Sequence, residues 1–210
     1  MDSKKALRNS MLRRLASLDP GLFRSQGRDA ASLISSQKIW LSAETVLLFM
    51  AMEQEIDTEP LLARALEGGK RVFIPKVAGP EMRFYRIQSA RGPWLCGPYG
   101  IREPDPAAPD SDLKPEDFPL LIIVPGVAFD RQGNRLGRGK AYYDRFFASL
   151  DQRTGTDTPR RPAEKSRSPN YYTVGLCMDE QVVPAVPADS WDRPMDAICT
   201  GSEYVTVVPQ

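Results

Sequence analysis

Histidine is absent from all 210 residues. That excludes the Ser-His-Asp triad, imidazole general bases and histidine-ligated metals. Chemistry is left to carboxylates, lysine, arginine, tyrosine, backbone dipoles and hard cations. Cysteine is scarce: Cys96, Cys177 and Cys199 are scattered and odd in number, which fits a reducing cytoplasm and not a disulfide framework. No run approaches the roughly 20 apolar residues of a spanning helix. The polar, basic N-terminus lacks the apolar region of a secretory signal. Charge of one sign is not in excess either. The 28 Lys and Arg against 27 Asp and Glu leave a net charge of +1, so bulk electrostatics points to neither nucleic acid nor membrane. The length suits a single α/β domain with a sizeable core.

What the chain does have is concentrated between Ile122 and Phe147. The apolar, β-branched run Leu120 to Val124 reads as a buried strand, and Pro125-Gly126 ends it. A loop rich in glycine and cations follows: Gly133, Arg135, Gly137, Arg138, Gly139 and Lys140. Tyr142, Tyr143, Asp144, Phe146 and Phe147 then read as an amphipathic helix. Strand, glycine-cation loop and helix in that order build an anion site. Glycines let backbone N–H groups approach a phosphate, and a helix N-terminus favours negative charge. A Walker A loop is excluded, because Asn134 stands five residues before Gly139 and Ala141, not Ser or Thr, follows Lys140. A dinucleotide fingerprint starting at Gly137 fails as well, since its third glycine would fall on Tyr142.

The rest of the chain reads as alternating helices and strands. Asp2 to Leu18 forms a helix with the apolar stripe Leu7, Met11, Leu15 and Leu18, and Lys4 and Arg8 share one of its faces. Asp19-Pro20 starts a second helix that extends to about Lys38. Thr45 to Met50 is a strand, and Thr58 to Leu66 a helix stopped by Gly68-Gly69. Arg71 to Pro75, Met82 to Ile87, Tyr171 to Leu176 and Asp196 to Thr200 are strands, and Gly92 to Pro109 is a loop. Glu53, Glu55 and Asp57 follow a strand's carboxyl end, where open α/β sheets bind ligands; spacing does not choose among them. Residues 151–169 are crowded with charge, Pro, Ser and Thr, with Ala163 as their one apolar residue. They read as a flexible insertion within one domain spanning 1–210. The expected architecture is a mostly parallel sheet with helices on both faces.

The central block resembles the signature of the 5-formyltetrahydrofolate cyclo-ligase (methenyltetrahydrofolate synthetase) family, PGxxFDxxGxRLGxGxGYYD. Pro125, Gly126, Phe129, Asp130, Gly133, Arg135, Leu136, Gly137, Gly139, Tyr142, Tyr143 and Asp144 match it, and Ala141 stands where the family usually has glycine. Weaker likenesses extend over most of the chain. They are KxxxR at Lys4 and Arg8, the glutamate before Ile56-Asp57-Thr58, Tyr99 to Pro104 against [FWY]GIxEP, and Asp179 to Asp192 against DxQxxxxxPxxxxD, with Trp191 in place of His or Asn.

The resemblance implies a three-layer α/β/α fold shared with ribose-5-phosphate isomerase-like and CoA-transferase-like proteins. It implies ATP- and magnesium-dependent conversion of 5-formyltetrahydrofolate to 5,10-methenyltetrahydrofolate, with release of ADP and phosphate. By the same likeness Lys4, Arg8, Arg135, Gly137, Arg138, Gly139, Lys140, Tyr142 and Tyr143 meet the nucleotide. Met50, Glu55, Tyr99, Arg138 and Tyr142 meet the folate. Arg138, Lys140 and Tyr142 act in catalysis, and Asp144 and Asp192 hold Mg2+. The implied partners are folate and ATP, with no nucleic acid or membrane, for a cytoplasmic monomer.

Each residue also has a plainer role open to it. Asp144 can pair with Lys140, Tyr143, Phe147 and Met50 can be core, Arg135 can brace the loop through carbonyls, and Asp196 can be a structural hydrogen-bonder. If position 141 needs a positive φ, alanine there costs about 1 kcal/mol. Two other functions stay open at this point. One is a relative that binds folate or nucleotide without turnover, motivated by Ala141 and Trp191. The other is a nucleic-acid module using the arginines of 151–169, which the near-zero net charge disfavours.

Overall fold

A computed structural model describes residues 3–79, 81–92, 94–97, 100–104, 113–154, 170–189 and 192–208. In chain order its elements are α1 (Ser3–Ala16), α2 (Pro20–Ser35), α3 (Lys38–Ser42), β1 (Thr45–Leu47), α4 (Glu59–Glu67), β2 (Arg71–Ala78), β3 (Glu81–Ile87), β4 (Trp94–Cys96), β5 (Arg102–Pro104), β6 (Leu120–Val124), β7 (Ala128–Phe129), β8 (Arg135–Leu136), α5 (Tyr142–Arg153), β9 (Tyr171–Leu176), β10 (Ala197–Cys199) and β11 (Tyr204–Thr206). Seven strands form one sheet in the order β11-β10-β9-β6-β1-β2-β3. The inner neighbours β10, β9, β6, β1 and β2 all pair in parallel. The two edge strands, β3 and β11, pair antiparallel.

Strand β6 shows why the molecule has three layers. All five of its side chains are buried, and successive side chains on a strand point to opposite faces. Leu121 and Ile123 join the core built on Met11 and Leu15 of α1, Ala30 and Ile34 of α2, and Leu61 and Leu62 of α4. Leu120, Ile122 and Val124 join the opposite core with Phe147 and Leu150 of α5. A strand buried on both faces cannot show polar alternation, hence its unbroken apolar run. Asp19 starts α2 by accepting the Gly21 N–H at 2.6 Å, with Pro20 at the first helical position. Gly27 lets α2 touch the Asp57 backbone, with which any Cβ would collide.

Several boundaries differ from the sequence-based expectation. Helix α2 ends at Ser35, and the short α3 follows. Strand β1 stops at Leu47; Leu48 still donates to Phe73 O at 2.9 Å, but the chain then leaves the ladder. Strand β2 runs on to Ala78 because β3 pairs with it as far as Ala78↔Glu81. The expected loop at 92–109 contains the β4-β5 hairpin, and β11 adds an edge that was not foreseen. Helix α5 continues to Arg153, into the first residues of the expected insertion; residues 155–169 of that insertion lie outside the described residues. Asp151 holds this last turn, accepting from Tyr171 Oη at 2.6 Å and from Arg193 Nη1 at 3.0 Å. Among the described residues no helix is long and apolar enough to cross a membrane.

The cysteines make a direct test of the layers. Cys96 is exposed, whereas Cys177 and Cys199 are buried and free. Burial pushes both buried thiols up, Cys199 to about 12. A thiol reagent at about pH 8 is expected to modify Cys96 alone in the folded protein and all three cysteines in denaturant. The same burial favours the folded state while the unfolded thiol stays protonated, below about pH 9. That contribution is lost as pH rises from there towards 12.

Candidate active site

A cleft of about 390 Å³ opens over the carboxyl ends of β1 and β6, where a parallel α/β sheet places its ligands. One side is the cation loop from Arg135 to Lys140 and the first turn of α5. The facing wall is apolar and comes from β2, β3 and the approach to β5: Pro75, Val77, Met82 and Ile101, with one carboxylate, Glu103 of β5. Helix α1 closes an end with Lys4 and Arg8.

The loop is held from below by buried polar side chains. Asp130 is 1 % exposed. Its Oδ1 accepts the N–H groups of Gln132 and Asn134, each at 3.0 Å. Its Oδ2 accepts Asn134 Nδ2 at 2.9 Å and the Val186 N–H at 2.8 Å. Gln181, also 1 % exposed, donates to the carbonyls of Gly126 at 2.7 Å and Val127 at 3.0 Å. Gly133, at φ 86°, closes the β7-β8 turn against Met195, whose carbonyl would lie 2.6 Å from any Cβ. These contacts fix the strand ends from which the loop departs.

The chain then turns into α5 through Gly139 and Ala141. Ala141 has φ 54°, the one positive φ outside glycine among the described residues. It is the N-cap of α5 and offers no side-chain acceptor. First-turn N–H groups that no side chain caps are donors for an anion. Glycine carries no Cβ penalty in this conformation. Ala141→Gly is therefore expected to raise stability by about 1 kcal/mol, read as a higher midpoint in thermal or urea unfolding.

Most of the cleft's charges are paired with one another. Arg138 Nε donates to Glu55 Oε1 at 3.2 Å, and Glu55 Oε2 accepts the Met52 N–H at 3.1 Å. Arg135 reaches Asp144 at 2.8 Å, and its other nitrogen the Pro125 carbonyl at 3.4 Å. Lys4 Nζ meets Asp189 at 2.6 Å and Asp192 at 2.5 Å. Burial works against the Lys4 ammonium, but hydrogen bonds and charge from Asp189 and Asp192 outweigh it and hold its pKa above the usual lysine value. Arg8 Nε donates to the Gly137 carbonyl at 2.8 Å, docking α1 on the loop. Lys140 is exposed and makes no ion pair among the described residues. Tyr142 Oη donates to Gly79 O at 3.3 Å. Tyr143 lies on the cleft, its hydroxyl buried without a hydrogen-bond partner among the described residues and its pKa pushed up by that burial.

The sequence-based site residues thus converge on one place. Lys4, Arg8, Met50, Glu55, Arg135, Gly137, Arg138, Gly139, Lys140, Tyr142, Tyr143, Asp144 and Asp192 all line the cleft. Tyr99 lies outside the described residues. Asp144 pairs with Arg135, not with Lys140 as helical spacing allowed. Glu53 is off the cleft, and Asp57 caps α4 by accepting the Glu59 N–H at 2.9 Å, so of the three candidate acids only Glu55 lines the cleft. Asp196 is structural, accepting from Thr173 N and Oγ1 at 2.8 Å. Met50 belongs to both descriptions, buried in the core yet lining the cleft. Sequence reasoning missed Asp189, Gln181 and Glu103. Glu103 had a signal, since it stands in the stretch that resembles [FWY]GIxEP; Asp189 had none.

Asp144 and Asp192 line the same cleft, although no group of three metal-ligating side chains occurs among the described residues. Magnesium takes one or two carboxylates and completes its shell with water and phosphate oxygens. Asp144, 57 % exposed at the side chain, and Asp192 fit that requirement.

Comparison with known proteins agrees with the geometry. The chain is 32% identical over 196 residues to a probable 5-formyltetrahydrofolate cyclo-ligase of Schizosaccharomyces pombe, covering 86% of this chain and 92% of that one. It is 29% identical to the Escherichia coli K12 5-formyltetrahydrofolate cyclo-ligase, over 90% of this chain and 96% of the relative. Among solved structures it superposes on the Aquifex aeolicus 5,10-methenyltetrahydrofolate synthetase with a TM-score of 0.75 at 30% identity, covering 97% of this chain and 92% of that one. The sequence profile of the 5-formyltetrahydrofolate cyclo-ligase family matches residues 1–201, and the chain belongs to that family.

Proposed function

We propose that the protein is a 5-formyltetrahydrofolate cyclo-ligase that spends ATP to close 5-formyltetrahydrofolate into 5,10-methenyltetrahydrofolate, releasing ADP and phosphate. The observation that carries this is the cleft itself: a cation loop and an uncapped helix start face an apolar wall within one cavity. A polyphosphate suits the first side and a flat heterocycle the second.

The chemistry asks for such a site. An N-formyl group is an amide, a poor electrophile whose oxygen is a poor leaving group. Transfer of the γ-phosphoryl group to that oxygen changes both properties. N10 then bonds to the formyl carbon and loses its proton, and the C–O bond breaks with phosphate as the leaving group. Phosphoryl transfer is mostly positioning and neutralisation of charge, so a chain without histidine is equipped for it. Arg138, Lys140 and the Gly137 and Gly139 backbone hold phosphate oxygens, and Arg8 fixes the loop from α1. Glu55 orients Arg138 and, with Met50 and Tyr142, borders the folate. Asp144 and Asp192 would hold magnesium, which would supply positive charge to offset that of the phosphates. We place the enzyme in the cytoplasm as a monomer without nucleic-acid or membrane partners, on the near-zero net charge and the free cysteines.

The test is absorbance in the near ultraviolet with 5-formyltetrahydrofolate, ATP and magnesium. Methenyl product that requires both ATP and magnesium is expected. Its absence at high concentrations of a folded protein would overturn the proposal.

A further inference from the structure

Two carboxylates on the cleft differ in how much hydrogen-bonding capacity they have left. Glu55 has both oxygens engaged, one by Arg138 and one by the Met52 N–H. Glu103 is 5 % exposed and lines the apolar wall. It receives one hydrogen bond, from the Val77 N–H to Oε1 at 3.3 Å, and Oε2 has no donor among the described residues. A carboxylate offers about four acceptor positions, and those of Oε2 are left to whatever occupies the cleft. The fold makes room for the carboxylate. Gly97 packs against its carboxyl group, with which any Cβ at position 97 would collide. The Gly97 N–H to Ile101 carbonyl bond, 2.8 Å, closes the hairpin that carries it.

We propose that Glu103 reads the donor edge of the folate's pterin ring, taking the ring N3–H and the 2-amino group on its two oxygens. This rests on the cyclo-ligase reading above. A 2-amino-4-oxopyrimidine presents two donors side by side, the complement of a carboxylate accepting in bidentate fashion. Adenine presents a donor beside an acceptor on its corresponding edge, so ATP does not satisfy the same group. The apolar faces of Pro75, Val77, Met82 and Ile101 would flank the ring and keep water from the pair. Glu55, by contrast, lies on the loop side of the cleft as the partner that holds Arg138. Glu103 is thus the specificity-determining acid of the folate end, and the phosphate end does not depend on it.

The experiment compares wild type with Glu103→Gln and Glu103→Asp in the methenyl-forming assay. Folding is checked by thermal unfolding, and 5-formyltetrahydropterin serves as a competing fragment. Hydrogen bonds to a charged group are worth enough that Glu103→Gln should raise the KM for 5-formyltetrahydrofolate about 10- to 100-fold. The inhibition constant of the pterin fragment should rise by the same factor, and the KM for ATP should change less than about twofold. Glu103→Asp should recover part of the loss. An unchanged folate KM overturns the proposal. So does a matched rise in both KM values with a lower unfolding midpoint, which would mark a structural acid. Guanine carries the same donor pair, so altered use of GTP in place of ATP, with folate KM unmoved, would assign Glu103 to the nucleotide instead. Wild-type protein that forms no product sinks the cyclo-ligase reading itself, an outcome separate from any of these.

Discussion

Lys140→Ala is expected to lower kcat/KM for ATP about 100- to 1000-fold while leaving the folded protein intact. Lys140 is an exposed cation of the loop and, unlike Arg138, has no carboxylate partner among the described residues. Nothing in the fold leans on it, and surface substitutions of that kind shift stability by about 0.5 kcal/mol or less. Its charge is therefore available to a phosphate without first being freed. Steady-state kinetics beside a thermal melt checks both halves of the expectation. Lys140→Arg should retain more activity than the alanine variant, because charge is kept although its geometry differs. A large loss of midpoint in Lys140→Ala, or near-normal kinetics, would remove Lys140 from the phosphate site.

The second large effect is on stability. Asp130→Asn should destabilise the protein by several kcal/mol, roughly 3–5 if no water enters. The carboxylate accepts four hydrogen bonds in a setting 1 % exposed. Asparagine keeps one oxygen, which can serve the Gln132 and Asn134 N–H groups. It then sets an amino group against two further donors, Asn134 Nδ2 and the Val186 N–H. That pairs donor with donor in a dry site. Denaturant unfolding gives the number, and activity should fall with it because the β7-β8 turn positions the cation loop. A loss below about 1 kcal/mol would show that the turn holds its shape by other means.

The site was legible wherever its chemistry is local in sequence. Between Pro125 and Asp144 the residue types announce a strand end, a glycine-cation loop and a helix start, and the fold puts them there. Position 141 was legible too: the alanine in a glycine context marked a backbone constraint, and its φ is 54°. The opposite wall was not legible, because Pro75, Val77 and Met82 meet only through the pairing of β2 with β3, and Glu103 comes from the separate β4-β5 hairpin. Strand pairing reflects neighbours more than intrinsic preference. The same holds for the end of α5. Asp151, Gln152 and Arg153 are polar and read as the start of a flexible insertion, yet Tyr171 and Arg193, 20 and 42 residues away, anchor Asp151. Asp189 could not be singled out, since its partner Lys4 is 185 residues distant.

The mutual pairing of the cleft's charges acts as a filter on what may enter. Before any ligand arrives, Lys4, Arg135 and Arg138 are each occupied by an internal anion, Asp189 and Asp192, Asp144 or Glu55. Each pair has one member open to solvent, Asp189, Asp144 or Arg138, through which a competing anion can approach. Displacing several at once demands a ligand that spans them. A lone phosphate or sulfate can reach Lys140 but must compete with resident carboxylates for every further contact. On the proposed reading a triphosphate chain would engage several cations in a single binding event and leave the freed carboxylates open to a counter-cation. The resident carboxylates would then discriminate by length of anion, a selectivity achieved without any contact to the base.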